Sequence, residues 1–312
     1  MRRSAEIGTQ PEAGRPAGFA LALSPGGKWL ARPECVEAIE RGAADILLRG
    51  PARRDKRAGT GRGPMVRLEI GGLAAIGKRA LHGGLAGRLL GGLYLGAGRA
   101  LAQVEAAERL SRSGIPTPEI LAVGWQSALL LFTKQAIVTR AVPGAENLYE
   151  AARHDAPWRR RRAILAASAD LIRRMHDAGF LHADLNVANL ILGGGPGGDR
   201  VFVVDLDRGR FEARLTKRQR FANLARLQRS YEKWIAGQWP LSPRDEVRFL
   251  RSYCRRDRAL LRELRSRLLS YRSSRSAAPS TSSTGISSRQ NGFPEGAGEH
   301  SRKKSWRHGE QG

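Results

Sequence analysis

The period of hydrophobic and polar positions changes near the middle of this 312-residue chain. Before Pro143-Gly144 the apolar residues come mostly in short runs. Met65–Ile70 and Leu73–Lys78 are two strand-like runs joined by Gly71-Gly72, a two-residue hairpin signal. Residues 99–113 set Leu101, Val104, Ala107 and Leu110 on one helical face, and Gly114 follows as a C-cap. Further strand signals lie at Ile120–Trp125, Leu129–Phe132 and Ala136–Thr139. Beyond Gly144, Ile164, Leu165, Leu171, Ile172 and Met175 recur at helical spacing and predict a buried helix ending near His176. A strand–loop–strand region then covers Phe180–Asp205. Helical patterns resume over Phe221–Ala236 and Val247–Tyr271.

These elements predict an α+β, bilobal architecture. Residues 49–141 form an N-lobe of antiparallel β-sheet with one main helix, residues 142–272 a helical C-lobe, and a hinge falls near Val138–Gly144. Residues 1–48 are an N-terminal extension of weak periodicity, partly ordered, with a short strand or helix over Cys35–Leu48. Residues 273–312 are a basic, Ser-rich tail whose apolar content is too low to offset its ordering entropy, so disorder is expected there.

Composition narrows the classes. Cys35 and Cys254 are the two cysteines and cannot build a disulfide framework, which fits a reducing, cytosolic compartment. A spanning helix needs about 18–20 uninterrupted apolar residues, and the nearest stretch, Leu81–Leu101, is broken by Arg88 and Arg99. The N-terminal MRRSAEIGTQPEAGRP lacks an apolar region behind its arginines, so no secretory signal is expected. With 54 Lys and Arg against 29 Asp and Glu, the formal net charge is +25. That suits nucleic acid, an anionic membrane surface or phosphorylated ligands, or reflects arginine-rich composition alone. Six per cent aromatics and no nucleic-acid module rank nucleic acid last.

Chemistry concentrates in Leu181-His182-Ala183-Asp184-Leu185-Asn186-Val187-Ala188-Asn189. An Asp with an Asn five residues on and a His two before is the spacing of a kinase catalytic loop. The Asp reaches the acceptor hydroxyl while the Asn oxygen reaches a metal on the nucleotide phosphates. A second carboxylate should close a short apolar strand, and Val201-Phe202-Val203-Val204-Asp205 provides it. Upstream, Gly61 and Gly63 fit a phosphate-covering loop and Lys78 a strand lysine against the phosphates. His182 is expected to brace the loop, and His176 to be a core or cap residue.

On these residues the chain resembles the 3-deoxy-D-manno-octulosonic acid (Kdo) kinase / lipopolysaccharide kinase family, a bacterial branch of the protein-kinase-like fold. The likeness rests on Gly61-Arg62-Gly63 through Lys78 to His82-Gly83-Gly84-Leu85, on Gly179–Asn186 with Asn189, and on Asp205-Leu206-Asp207-Arg208 followed by Asn223–Ser230. Gly114-Ile115-Pro116-Thr117-Pro118 adds the family's helix-to-strand turn. The resemblance implies that ATP with Mg²⁺ phosphorylates a hydroxyl of Kdo on lipid A during inner-core lipopolysaccharide synthesis. Asp184 would orient the sugar hydroxyl, Asn189 and Asp205 would hold Mg²⁺, and Lys78 would meet the α/β-phosphates. The enzyme would act at the cytoplasmic face of the bacterial inner membrane, attached peripherally through Arg159–Arg162 and the arginine-rich stretch 244–272.

Three departures stand out. The family pairs the strand basic residue with a Glu on the first N-lobe helix, a position that falls at Gln103 here. Ala183 replaces the Arg of protein kinases, and the short span from Asp205 to Asn223 leaves little room for an activation loop, which argues for a constitutive small-substrate enzyme. Two alternatives stay open: another small-molecule or protein kinase of the same fold, and a pseudokinase binding module suggested by Gln103. Oligomeric state is not legible.

Overall fold

The computed structural model describes residues 15–49, 65–80, 93–95, 97–129, 132–154, 157–193 and 200–276. Gly61, Gly63, the His82–Leu85 segment and tail residues 277–312 lie outside the described residues. Residues up to Leu269 form one compact unit.

The first lobe is an antiparallel sheet. It comprises β1 (Ala20–Ser24), β2 (Gly27–Ala31), β3 (Met65–Ile70), β4 (Leu73–Arg79), β5 (Leu93–Leu95), β6 (Ile120–Leu129) and β7 (Phe132–Arg140). The path runs β1-β2-β6-β7-β4-β3, with β5 added to β7 beyond the end of β4. Gly71 and Gly72 both take positive φ, 59° and 73°, the left-handed pair that a tight hairpin requires, and Ile70 pairs with Leu73 across them. No separate strand forms over the expected Leu129–Phe132: Leu129 ends β6, Phe132 begins β7, and the two residues pair with each other, residues 130 and 131 lying outside the described residues.

The N-terminal segment is more than an extension. Weak periodicity predicts loose structure before Cys35, yet residues 20–31 form a hairpin bonded to β6 through Lys28–Ala31. Short helices α1 (Val36–Glu40) and α2 (Ile46–Arg49) then cover the outer sheet face. There Trp29, Ile39, Leu47, Leu48, Ile70, Leu121 and Val138 make a separate core. Strand periodicity is muted because Ala22, Ala31, Ala122 and Gly124 leave room for one large side chain. Trp29 pairs directly with Gly124, and its indole Nε1 donates to Ser24 Oγ at 3.2 Å.

The inner sheet face packs on α3 (Gly98–Arg112) through Val104, Ala107 and Leu110, continuous with the core of the second lobe. That lobe holds α4 (Leu148–Arg153), α5 (Trp158–Asp177), α6 (Lys217–Trp234), α7 (Pro243–Cys254) and α8 (Arg258–Ser276). Its small strands are β8 (Glu146–Asn147), β9 (Phe180–Leu181), β10 (Leu190–Gly193), β11 (Arg200–Val203) and β12 (Arg210–Phe211). The single helical stretch predicted over Val247–Tyr271 divides in two. Arg255 turns to φ 50° and Asp257 Oδ1 caps the next helix by accepting from Leu260 N–H at 2.8 Å. Helix α8 continues to Ser276, past the predicted boundary at 272.

A Cβ at residue 124 would lie 2.4 Å from the Trp29 ring, which is fully buried. Gly124→Ala is therefore expected to lose about 1–3 kcal/mol of stability through overpacking, read as a lower midpoint in urea unfolding; an unchanged midpoint would remove this account of the outer core.

Candidate active site

The catalytic-loop sequence folds around one buried imidazole. His182 is 1% exposed, its Nε2 lies 3.0 Å from the Val204 carbonyl, and its Nδ1 lies 3.1 Å from Asp184 N–H. The carbonyl only accepts and the amide only donates, so the ring is neutral with its proton on Nε2. Burial lowers its pKa, outweighing the Val204 hydrogen bond and the carboxylates of Asp205 and Asp184. One ring thus ties the Asp184 segment to the end of β11.

Asn186 and Asn189 shape the rest. Asn186 Oδ1 accepts from Ala188 and Asn189 N–H at 2.9 and 3.1 Å, capping the 3₁₀ turn Val187–Asn189, while its Nδ2 donates to Asp184 Oδ2 at 3.0 Å. Asn189 is buried and its Nδ2 donates to the Asp184 carbonyl at 2.8 Å. Strands β10 and β11 pair as a hairpin with Leu190 opposite Val203, and Val204 N–H donates to the Asn189 carbonyl at 3.0 Å. Asn189 and Asp205 therefore stand at the same end of that hairpin. Asp205 itself has φ 62°, a left-handed conformation that Asp tolerates better than most residues and that sites of chemistry often hold.

Across the cleft, Lys78 on β4 reaches Asp205 Oδ1 at 2.9 Å, both side chains a little under a third exposed. The structure thus brings Lys78 to Asp205, sets Asn189 at the same end of the hairpin, and ties the Asp184 backbone to both segments through His182 and Asn189. Gln103, on α3, makes no hydrogen bond to Lys78 among the described residues. Helix α3 is instead joined to the site by Arg99, whose Nε donates to Asp207 Oδ1 at 2.5 Å while Nη2 donates to Oδ2. Arg99 also stacks over Tyr94 at 4.4 Å. This pair joins helix to loop, with the cation on the helix and the carboxylate on the loop, and is a different contact from the helix–strand pair expected at Gln103 and Lys78. Sequence reasoning missed it; the available signal was an Arg at the start of α3 and a second Asp two residues after Asp205.

Behind the loop lies a buried polar chain. Tyr253 O–H donates to His176 Nδ1 at 2.7 Å, His176 Nε2–H donates to Asn223 Oδ1 at 3.2 Å, and Asn223 Nδ2 donates to the His182 carbonyl at 2.8 Å. Burial pulls His176 down to about 4, against the Asn223 hydrogen bond, and pushes the Tyr253 hydroxyl up to about 12.

An antiparallel sheet that sends Lys78 to Asp205 at the edge of a helical lobe, with Asp184 and Asn189 on the adjoining loop, is the architecture of a protein-kinase-like fold. A family model described as the lipopolysaccharide kinase (Kdo/WaaP) family matches residues 75–253. A 3-deoxy-D-manno-octulosonic acid kinase of Xanthomonas euvesicatoria pv. vesicatoria (strain 85-10) is 34% identical over 167 residues, 50% of this chain and 61% of that one. The corresponding kinase of Stenotrophomonas maltophilia (strain R551-3) is 31% identical over 189 residues, 58% of this chain and 71% of that one. A solved structure, WaaP in complex with acyl carrier protein, superposes with a TM-score of 0.52 at 27% identity, covering 73% of this chain and 87% of that one. The chain belongs to the lipopolysaccharide kinase (Kdo/WaaP) family. It spans 61% of the length of the Xanthomonas relative.

Two outcomes follow from this geometry. His176 stays neutral in the fold until about pH 4, whereas the unfolded chain binds that proton below about 6.5. Stability is then full above pH 6.5 and falls as pH drops towards 4, by about 3 kcal/mol for this group; His176→Gln should flatten that part of the pH dependence in denaturant titrations, and an undiminished slope would contradict it. Second, a double-mutant cycle of Arg99→Gln with Asp207→Asn should show a coupling of at least about 1 kcal/mol, because a charged hydrogen-bonded pair, less than a quarter exposed, is removed; additive losses would deny the brace.

Proposed function

We propose that this chain transfers the γ-phosphoryl group of ATP to a hydroxyl of Kdo carried on lipid A, in the inner core of lipopolysaccharide. The observation that carries the reading is the convergence of Asp184, Asn189, Asp205 and Lys78, in a chain whose relatives are named for this sugar acid. Asp184 is 55% exposed at its side chain and fixed at its backbone, the situation of a carboxylate that meets a substrate hydroxyl. It would orient the hydroxyl and take its proton as the new sugar O–P bond forms and the bond to the β-phosphate oxygen breaks, releasing ADP. Lys78 is the cation for the α/β-phosphates, and Gly61 and Gly63 belong to the loop expected to cover them.

Asp205 and Asn189 would hold Mg²⁺. One carboxylate and one carboxamide are hard oxygen donors, and this small number suits an ion that keeps waters and phosphate oxygens in its shell. When bound, the metal supplies neutralisation of phosphate charge. Catalysis by this chain's own residues is positioning and electrostatic stabilisation, without a covalent enzyme intermediate.

Peripheral attachment to the anionic inner-membrane surface belongs to the same reading. No helix among the described residues is long and apolar enough to cross a membrane. At the start of α5, Trp158 is 58% exposed and carries the guanidinium groups of Arg159 and Arg162 over its ring, at 5.3 and 4.3 Å. Each basic residue near such a surface contributes about 1 kcal/mol.

The test is transfer of label from ATP to Kdo–lipid A by the purified full chain. Asp184→Asn should lower kcat by about 10²–10⁴-fold with unfolding unchanged, since the side chain is half exposed. Full activity in that variant, or silence towards Kdo beside brisk phosphorylation of another acceptor, would overturn the assignment in favour of a different kinase; silence towards every acceptor with weak nucleotide binding would favour a pseudokinase.

A further inference from the structure

Helix α6 presents one face to the catalytic loop and is pinned to it twice. Asn223 donates to the His182 carbonyl at 2.8 Å, and Ser230 Oγ accepts from Val187 N–H at 3.2 Å. Arg226 lies between these pins on the same face, three residues after Asn223 and four before Ser230. Its backbone is thereby fixed relative to Asp184. Its side chain is 47% exposed, and Nη1 lies 3.5 Å from Asp184 Oδ1. That contact is long and lies between two solvated groups, so it contributes little and is readily exchanged. Among the described residues Arg226 makes no other hydrogen bond or ion pair, which leaves most of its five N–H donors unused.

The local arrangement also separates two sides. His182 turns its ring towards Val204, next to Asp205 and hence towards the nucleotide side, and its carbonyl towards α6. Arg226 thus reaches Asp184 from α6, whereas Lys78 reaches Asp205 from β4. A planar guanidinium with spare, forked donors beside a hydroxyl-orienting carboxylate matches an acceptor that bears an oxyanion close to its reactive hydroxyl.

We infer that Arg226 is a specificity-determining residue that binds the carboxylate of the acceptor sugar acid while Asp184 meets its hydroxyl. This rests on the acceptor reading above. The oxyanion could instead be a phosphate of the nucleotide, and the experiment separates the two. Steady-state transfer is measured for the full chain, Arg226→Gln and Arg226→Lys, with Kdo–lipid A and with its carboxyl methyl ester. The unaltered enzyme should prefer the free acid by about tenfold or more in kcat/KM, the worth of a charged hydrogen-bonded contact. Arg226→Gln should erase that preference and raise the acceptor KM with the ATP KM unchanged, and Arg226→Lys should retain part of it. A raised ATP KM with the acid preference intact assigns the guanidinium to the nucleotide and overturns the inference. So does equal use of acid and ester by the unaltered enzyme, which leaves the acceptor reading standing. No transfer to either acceptor by the unaltered enzyme overturns that reading first, and the role of Arg226 with it.

Discussion

The neutral imidazole of His182 is the constraint on which the site depends. A hydrogen bond from Nε2 to Val204 and one to Nδ1 from Asp184 bind two segments that are remote in sequence. The ring can make both bonds only with a single proton, since a protonated Nδ1 cannot accept from a backbone amide. Burial enforces that state by disfavouring the charged form. Phe180 packs edge-on against His182 with ring centroids 6.2 Å apart, and Phe211 packs on Phe180 at 4.9 Å. The carboxylates at Asp184 and Asp205 are thus located by a group that itself stays uncharged.

Around that pivot, opposite charges bridge the lobes in two registers. Lys78 meets Asp205 from the sheet, and Arg99 meets Asp207 from α3. Both carboxylates belong to one turn after β11, so helix and sheet act on the same few residues. With Gln103 neutral, Lys78 finds its anion in Asp205 itself. A strand lysine and a site carboxylate that neutralise each other keep a cleft of high charge density from repelling itself in a chain of net charge +25. The Val203 N–H bond to the Pro116 carbonyl and the Arg174 guanidinium bond to the Gly114 carbonyl, at 3.0 and 2.9 Å, add ties to backbone carbonyls between the same two lobes.

What the sequence disclosed follows from how local each signal is. The loop from His182 to Asn189 was legible because its chemistry lies within eight residues, and Asp205 because an apolar strand led to it. The β3–β4 hairpin was legible because Gly71-Gly72 is a local turn signal. Arg99–Asp207 was not, since it depends on where α3 starts and on the left-handed turn at Asp205. The N-terminal hairpin was hidden because its packing is Trp29 against Gly124 and alanines, which carries little alternation. Tyr253 and His176 sat within ordinary helical stripes; only the fold shows that they form a polar chain reaching the His182 carbonyl.

That chain explains an asymmetry in the site. Asn189 and His182 are 1% exposed and Asn223 is 5%, each hydrogen-bonded on the buried side, so the scaffold beneath the nucleotide-facing residues has little freedom to rearrange. Asp184 and Arg226 project from the same scaffold yet are about half exposed. Such a division would suit the phosphoryl transfer proposed above. Phosphates vary little in shape and reward fixed charges, whereas an acceptor on a bulky glycolipid has to enter from solvent or a membrane surface, and side chains there must exchange water for substrate. Holding the backbones of Asp184 and Arg226 rigid while leaving their charged ends solvated would satisfy both demands of the proposed reaction, because ordering cost is removed in advance and desolvation is deferred until an acceptor arrives.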